Sequence, residues 1–206
     1  MELIETIKQM GVVGAGGAGF PTHIKLGNKV EIVIANGTEC EPLLFNDKYI
    51  LQYYGEDVIQ GLNLVMRATE AQQGIIALKK KNTQVVQNIQ SIIKDQKNLS
   101  LALMDDFYPA GDEQILVKMA TGRVVSQGQL PLSVGCIVDN VETLRNIYLA
   151  TLGKPVIQRT LTCIGEVKNP SVVFARIGMS MWDVINSCGG TLVEDPVVIV
   201  GGPMMG

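Results

Sequence analysis

Hydrophobic positions along the chain alternate between two periods. Leu3, Ile4, Ile7 and Met10 are three and four apart, which predicts a short amphipathic helix near the N-terminus. Glu31-Ile32-Val33-Ile34-Ala35 is instead a β-branched run halted by Asn36-Gly37, the profile of a strand buried on both faces. Helical spacing returns at Val58, Ile59, Leu62, Val65 and Met66 within residues 57–71, and again at Val85, Val86, Ile89, Ile92 and Ile93. Residues 74–78 and 99–104 read as further buried strands. Strand, helix, strand, helix, strand in this order predicts right-handed crossovers and a largely parallel sheet covered by helices. Ile115, Leu116, Met119 and Ala120 then mark a helix closed by Thr121-Gly122-Arg123, and residues 137–144, IVDNVETL, read as a loop leading into a helix start.

From residue 158 the pattern changes. Residues 160–167 and 172–176 read as two strands joined by the turn Asn169-Pro170-Ser171, residues 180–188 as a short helix closed by Gly189-Gly190, and residues 197–200 as a last strand. The expected fold class is therefore α/β, with a parallel-sheet domain over residues 1–155 and a small α+β module of β-grasp type over residues 156–206. Met179, Met181 and Trp182 are expected in the core and docking face of that module. The glycine-rich stretch Gly201-Gly202-Pro203-Met204-Met205-Gly206 reads as a linker inside a longer protein.

Composition works mainly by exclusion. With 206 residues, 47% hydrophobic and 18% charged, the chain has enough apolar surface for one good core and a small second domain. A net charge of −3 and a pI of about 5.2 leave no basic stripe, and Lys79-Lys80-Lys81 is the one basic run, so no nucleic-acid partner is expected. No apolar run approaches the roughly 18 to 20 residues that span a bilayer, and the acidic amphipathic start is unlike a signal peptide. No direct membrane insertion is expected, and the chain reads as cytoplasmic. Cys40, Cys136, Cys163 and Cys188 form no C-x-x-C pair, which leaves a metal site without support; they read as mostly buried thiols, with Cys40 in a packing role. His23, the single histidine, reads as a hydrogen-bonding structural residue.

The chemistry concentrates in four loops. Five glycines lie between Gly11 and Gly19, so this backbone can approach a bound group closely and offer N–H donors to a phosphate or a flat ring. Phe20 and Pro21 stiffen the exit, Thr22 is placed to cap the next turn, and Lys25 supplies a cation. Residues 14–19, GAGGAG, fit the dinucleotide fingerprint with Glu39 at about the required 20-residue distance, but that fingerprint needs a strand before it and a helix directly after. A helical pattern precedes and Phe20-Pro21 follows, so that reading is rejected. Asn36, Thr38, Glu39 and Glu41 follow the carboxyl end of a strand, where open α/β sheets hold ligands; a solvated turn is the alternative. Tyr108 and Gly111 set an aromatic ring beside an open backbone, suited to a flat ligand, while Asp112 and Glu113 are either ligand groups or charges at a helix N-terminus. Asn140 and Thr143 add an amide and a hydroxyl at the last helix start, with plain capping as the alternative.

Taken together, GAGGAGFPTHIK, NGTECEP, YPAGDE and VDNVET occur in this order over nearly the whole chain. They resemble the FMN- and NADH-binding flavoproteins related to respiratory complex I, with wording closest to the RnfC-like group. Residues 158–206, with TCIGEVKNP and GGPMMG, resemble the SLBB β-grasp module of that group. The resemblance implies non-covalent FMN, held by Gly14, Gly16, Gly17 and Lys25, by Asn36, Thr38, Glu39 and Glu41, by Tyr108, Gly111 and Glu113, and by Asn140 and Thr143. It also implies NADH stacked on the flavin near Phe20, Lys25, Glu41 and Glu113, with no catalytic side chain because hydride passes between the two cofactors. In the complex I branch the position of Thr38 is an aspartate and that of Asp139 an asparagine, departures that bear on those two contacts.

The function so implied is oxidation of NADH by FMN, with onward electrons to an iron–sulfur domain or partner absent from this stretch. Implied partners are NAD(H) and a redox protein or membrane electron-transport complex, and the implied setting is the cytoplasm, a membrane-attached complex or a microcompartment. The alternative is a non-catalytic module that docks a redox partner or a corrinoid. On the flavin reading Lys25 pairs with ligand charge and not with the core, so Lys25→Ala is expected to weaken ligand binding and leave stability nearly unchanged.

Overall fold

The computed structural model describes residues 2–205. Four parallel strands form the central sheet: β1 (Ile32–Gly37), β2 (Gln73–Lys79), β3 (Leu99–Met104) and β4 (Cys136–Asn140), in the order β3-β2-β1-β4. Around them run α1 (Leu3–Gln9), α2 (Thr22–Lys25), α3 (Asn46–Ala68), α4 (Thr83–Ile93), α5 (Glu113–Thr121) and α6 (Val141–Thr151). Side chains alternate across the sheet. Val33, Ala35, Ile76, Leu78 and Ile137 enter a core shared with α1, α3, α4 and α6, whereas Ile32, Ile34, Ile75, Ala77 and Val138 enter a second core with α5. Both faces are covered, which is why the strands read as continuous apolar runs.

The chain passes from β1 through α3 to β2 and through α4 to β3 on one side, while β4 pairs with β1 from the other. Strand order reverses between β1 and β4, and in such sheets the crevice at the carboxyl ends of the two diverging strands is where ligands bind.

Three local expectations are corrected. Residues 136–140 are a strand, not a loop; three apolar residues run straight into Asp139-Asn140, and Asn140 is at once the last residue of β4 and the N-cap of α6. Helix α3 begins at Asn46 instead of residue 57, with a non-helical Tyr54 where its two parts meet. Its first part carries only Ile50 and Leu51 among polar and aromatic residues, too few to show a period. Pro21, not Thr22, stands at the N-cap of α2; Thr22 is its first residue, and its buried hydroxyl finds no partner among the described residues.

Helices α3 and α6 meet backbone to backbone, where a Cβ built on Gly61 would lie 1.9 Å from the Leu144 carbonyl oxygen. Gly61→Ala is therefore expected to destabilise the protein by about 1 to 3 kcal/mol by forcing the helices apart. A urea melt checks this, and an unchanged midpoint would mean that the two helices slide without cost.

Residues after α6 form an antiparallel hairpin, β5 (Gln158–Cys163) and β6 (Ser171–Arg176), followed by α7 (Met181–Ser187). The first strand ends at Cys163 and not at residue 167. Residues 197–200 join no strand among the described residues, and Val197 is 91% exposed: a β-branched run makes a strand only where an edge is present to pair with it. Met179, Met181 and Trp182 lie exposed, outside any core. The hairpin docks on the sheet domain through Phe45 N–H to Thr162 Oγ1 (2.9 Å), Thr160 N–H to Glu142 Oε1 (2.9 Å) and Phe174 edge-on to Tyr54. No helix among the described residues is long and apolar enough to cross a membrane.

Candidate functional site

The four loops singled out by sequence meet at the β1–β4 crevice. The glycine loop closes on itself, with Gly14 N–H donating to Phe20 O (2.8 Å) and Val13 bridging Pro21. Gly17 and Gly19 take φ of 123° and 63°, where a side chain would be strained. Ala15 N–H donates to Thr143 Oγ1 (2.8 Å) and Arg159 Nη2 donates to Ala15 O (2.7 Å), so the loop is tied to α6 and to β5. The N–H groups of Gly16, Gly17, Ala18 and Gly19 make no hydrogen bond among the described residues, and all four residues are exposed. Such a row of free amides is an anion site in waiting.

Behind β1, Asn36 joins two loops. Its Nδ2 donates to Gly111 O (3.0 Å) while its Oδ1 accepts from Thr38 N–H (3.1 Å) and Thr38 Oγ1 (2.6 Å). A Cβ on Gly111 would sit 3.0 Å from Thr38 O, so any larger residue there would press the two loops apart. Thr38 and Thr143 are fully buried with their hydroxyls engaged inside the protein; they shape the crevice from behind. Glu39 Oε1 accepts from Glu41 N–H (3.1 Å), yet burial still pushes its carboxyl above the usual range.

Glu41 is covered by the stretch that reads as a linker. Met204 N–H and Met205 N–H donate to its Oε1 (2.5 and 3.3 Å), and Gly202 packs so closely that a Cβ there would lie 2.2 Å from Glu41 Cγ. Residues 201–205 thus fold back over the loop after β1, and Glu41 Oε2 stays buried without a partner among the described residues.

Lys25 is the cation of the crevice. Its Nζ donates to Val138 O (2.7 Å) and Asp139 Oδ1 (3.1 Å) and lies 3.9 Å from Glu113 Oε1. Asp139 is 3% exposed; burial raises its pKa, and Lys25 works against that rise. The expectation that Lys25 pairs with ligand charge alone is therefore wrong, because it neutralises a carboxylate of the core. Asp112 is the N-cap of α5, accepting from Gln114 N–H and Ile115 N–H (3.0 and 3.1 Å), which frees Glu113 to face Lys25. Burial raises the Glu113 pKa and Lys25 opposes it. Phe20 and Tyr108 keep much of their rings exposed at the rim, Phe20 with Lys25 Nζ 6.0 Å from its centroid.

Two residues here escaped the sequence. Asp47, in the first turn of α3, accepts from Asn140 Nδ2 (2.9 Å), while Asn140 Oδ1 accepts from Glu142 N–H (2.8 Å) to cap α6. Burial, reinforced by Glu39 and Glu142, pushes the Asp47 carboxyl up to about 8, so it is neutral at pH 7. Lys79 ends β2 buried and pairs with Asp106 Oδ1 (2.7 Å), and hydrogen bonds from Lys79 and Lys81 hold Asp106 down to about 2. A lysine closing an apolar strand is a signal that reading Lys79 as part of a charge run hides. His23 makes no side-chain hydrogen bond among the described residues, contrary to expectation. Of the free thiols, Cys136 and Cys188 are buried and Cys40 and Cys163 half-buried. No cluster suited to a metal ion occurs among the described residues.

Residues 7–149 match Complex1_51K, the Nuo51 FMN-binding domain. The chain belongs to this family. It is 44% identical over 206 residues to cobalamin reductase PduS of Salmonella typhimurium, covering 100% of this chain and 45% of that protein. It is 39% identical over 212 residues to a component of the Na(+)-translocating ferredoxin:NAD(+) oxidoreductase complex of Acetobacterium woodii, covering 98% of this chain and 48% of the relative. The RnfC-like resemblance carried by the four motifs thus holds along the whole length. Among solved structures, a chain of NAD+-reducing NiFe hydrogenase in the H2-reduced state aligns with a TM-score of 0.79 at 25% identity, over 92% of this chain and 39% of that one. The chain spans about half the length of the curated relatives it matches.

The residues present fit the cofactor that names the family. Free amides at residues 16–19 suit a phosphate, and Asp139 Oδ2, buried and unpartnered among the described residues, is an acceptor awaiting a donor.

Proposed function

We propose that this chain is the flavin-binding part of an NADH-oxidising electron-transfer protein. The observation that carries the reading is the row of unpaired amides from Gly16 to Gly19, on a loop tied to the start of α6 at the β1–β4 crevice, where Lys25 is held on the end of β4. Gly14, Gly16 and Gly17 would admit the phosphate end of FMN, and Thr143 and Arg159 hold that loop in place. Asn36 and Gly111 keep the two sides of the crevice at fixed spacing. Glu39 and Glu113 are acceptors for hydroxyl and amide donors. Phe20 and Tyr108 at the rim provide flat apolar surface for a second ring and exclude water from one edge.

Bound FMN supplies two-electron acceptance from NADH and one-electron release. The protein supplies position and charge: Lys25, fixed on Val138 O and Asp139, sets one positive charge against two carboxylates whose proton affinities are raised. The relatives' names point to a cobalamin or a ferredoxin-linked complex at the far end of the electron path; the rest of the protein and its partners determine which. An SLBB-type role for residues 156–206 belongs to the same proposal, as does assembly with a redox partner.

FMN is expected to bind with half-saturation at or below roughly 10 µM, followed by quenching of its fluorescence. No quenching at roughly 100 µM would remove the flavin assignment and favour a docking module. With FMN bound, anaerobic NADH should bleach the flavin, and Glu113→Gln should slow that step about ten- to a hundredfold at unchanged melting temperature. Loss of stability with unchanged reduction kinetics would return Glu113 to a role at the helix terminus.

A further inference from the structure

We propose that the crevice where the hairpin meets α6 is a second ligand site, one that takes a small oxyanion: a carboxylate or a phosphate. A cavity of about 380 Å³ opens there. Its floor is one face of α6, formed by Glu142, Arg145, Asn146 and Leu149 at spacings of three and four, with Lys154 and Phe174 at its sides.

Many gaps hold only water; what distinguishes this one is unspent hydrogen-bonding capacity. Asn146 is 7% exposed, yet its side-chain amide makes no hydrogen bond among the described residues. Its amide atoms keep contact with solvent through the cavity, where an entering group can take the place of water. The Arg145 guanidinium also makes no hydrogen bond among the described residues; its buried Nε faces a carboxylate at ion-pair distance only. It is fixed instead by stacking, 4.0 Å over the Tyr54 ring and 5.6 Å from that of Phe174, and by Asp57 Oδ2 at 3.5 Å. Stacking holds the plane of the fork, and with Nε turned to Asp57 it leaves the two terminal nitrogens uncommitted.

Charge decides the class of ligand. Arg145 and Lys154 bring two cations to the cavity. Of the acids near them, Asp57 stands at ion-pair distance from Arg145 only, and Glu142 Oε1 already takes Thr160 N–H (2.9 Å), Thr160 Oγ1 (3.1 Å) and the Arg159 guanidinium (3.6 Å). Glu142 Oε2 and Asn146 Oδ1 are acceptors without a hydrogen bond among the described residues, against the Arg145 terminal nitrogens, Lys154 Nζ and Asn146 Nδ2 as donors without one; the excess of donors selects an anion, and a planar fork beside an amide matches the paired oxygens of a carboxylate or phosphate. Asn140 and Thr143, at the start of the same helix, face the flavin crevice, whereas the cavity takes the face of Glu142, Arg145, Asn146 and Leu149, so the inference stands apart from the proposed function.

The test is an NMR titration of the isotope-labelled chain with inorganic phosphate and, separately, with succinate, each against sodium chloride at equal ionic strength. Saturable shifts are expected at the Asn146 side-chain amide and the Gly153 backbone, half-complete at or below about 1 mM in at least one arm; shifts that phosphate causes at Gly17 belong to the glycine loop and keep their own midpoint in the Asn146 variants. The tighter arm identifies the oxyanion. Asn146→Asp, nearly isosteric, sets a negative charge against the ligand and should raise the midpoint about tenfold or more. Asn146→Leu removes the donors and should do the same, so one variant serves if the other fails to fold. Gly153 shifts that grow linearly in both arms, or that persist unchanged in a folded Asn146 variant, overturn the proposal.

Discussion

Lys25→Ala is expected to destabilise the ligand-free protein by about 3 kcal/mol, a loss that falls as the pH is lowered. Removing the lysine leaves Asp139, 3% exposed, with no cation and with an Oδ2 that already lacks a partner among the described residues. A buried carboxylate in that position takes up a proton, and the cost of doing so shrinks as the solution approaches the ordinary carboxylate range. The variant should therefore lie nearer to wild type at pH 5 than at pH 8. Asp139→Asn in the same background should recover much of the loss, since neither charge then remains, and the double-mutant cycle gives the coupling directly. FMN affinity should fall with Lys25→Ala and stay low in the double variant, which separates the lysine's two tasks. Urea denaturation of the four proteins at both pH values is the measurement; a single variant within about 0.5 kcal/mol of wild type would show that the pair is exposed enough for water to replace the lysine.

The Lys25 case marks where reading from sequence stops. Charge type and position along the chain were visible: a cation beyond a glycine loop, carboxylates at strand ends, an aromatic ring beside Gly111. Pairing was not visible, because Lys25 and Asp139 are brought together by a parallel strand more than a hundred positions later. The sheet itself was legible for β1, β2 and β3, whose apolar runs are long and bounded, but not for β4, where three apolar residues abut a polar pair that belongs to both strand and cap. Its absence from the expected fold also hid the switch point, since β4 alone lies on the far side of β1.

The tail shows a related limit. Glycines, proline and two methionines at residues 201–205 carry the composition of a linker, and nothing in that composition reveals backbone amides that meet Glu41. Backbone donors have no signature in sequence, whereas the residue they satisfy does; a glutamate in a loop between β1 and α3 is a plausible ligand group until something else is found sitting on it. Asn140 is the converse. Its identity as an N-cap was readable from Asn-Val-Glu-Thr, but the cap oxygen is only half of the amide, and the other half fixes Asp47.

Asp47→Asn is expected to stabilise the protein at pH 7.5 by on the order of 4 kcal/mol and to change it little near pH 4. Asp47 holds its proton in the folded protein up to about pH 8, because burial together with the nearby Glu39 and Glu142 outweighs Asn140 and Arg159. The unfolded chain gives that proton up near the ordinary aspartate value of 3.8. Between these two pH values the folded state binds more protons than the unfolded state, so stability is full below pH 4, declines as the pH rises, and is flat again above about 8. Glu39, Glu113 and Asp139 are raised as well and act in the same direction. Asparagine keeps an oxygen for Asn140 Nδ2, so the cap of α6 survives, and it has no proton to lose, so this part of the slope disappears. Replacement by leucine would distinguish protonation from bonding, since it removes the acceptor and should destabilise at every pH by about 1 to 3 kcal/mol through the unpaired amide. Urea melts of wild type and both variants from pH 4 to 8.5 test the account. If Asp47→Asn lowers stability by the same amount across that range, Asp47 is ionised in the folded protein and its charge, not its neutral form, supports Asn140 under the glycine loop.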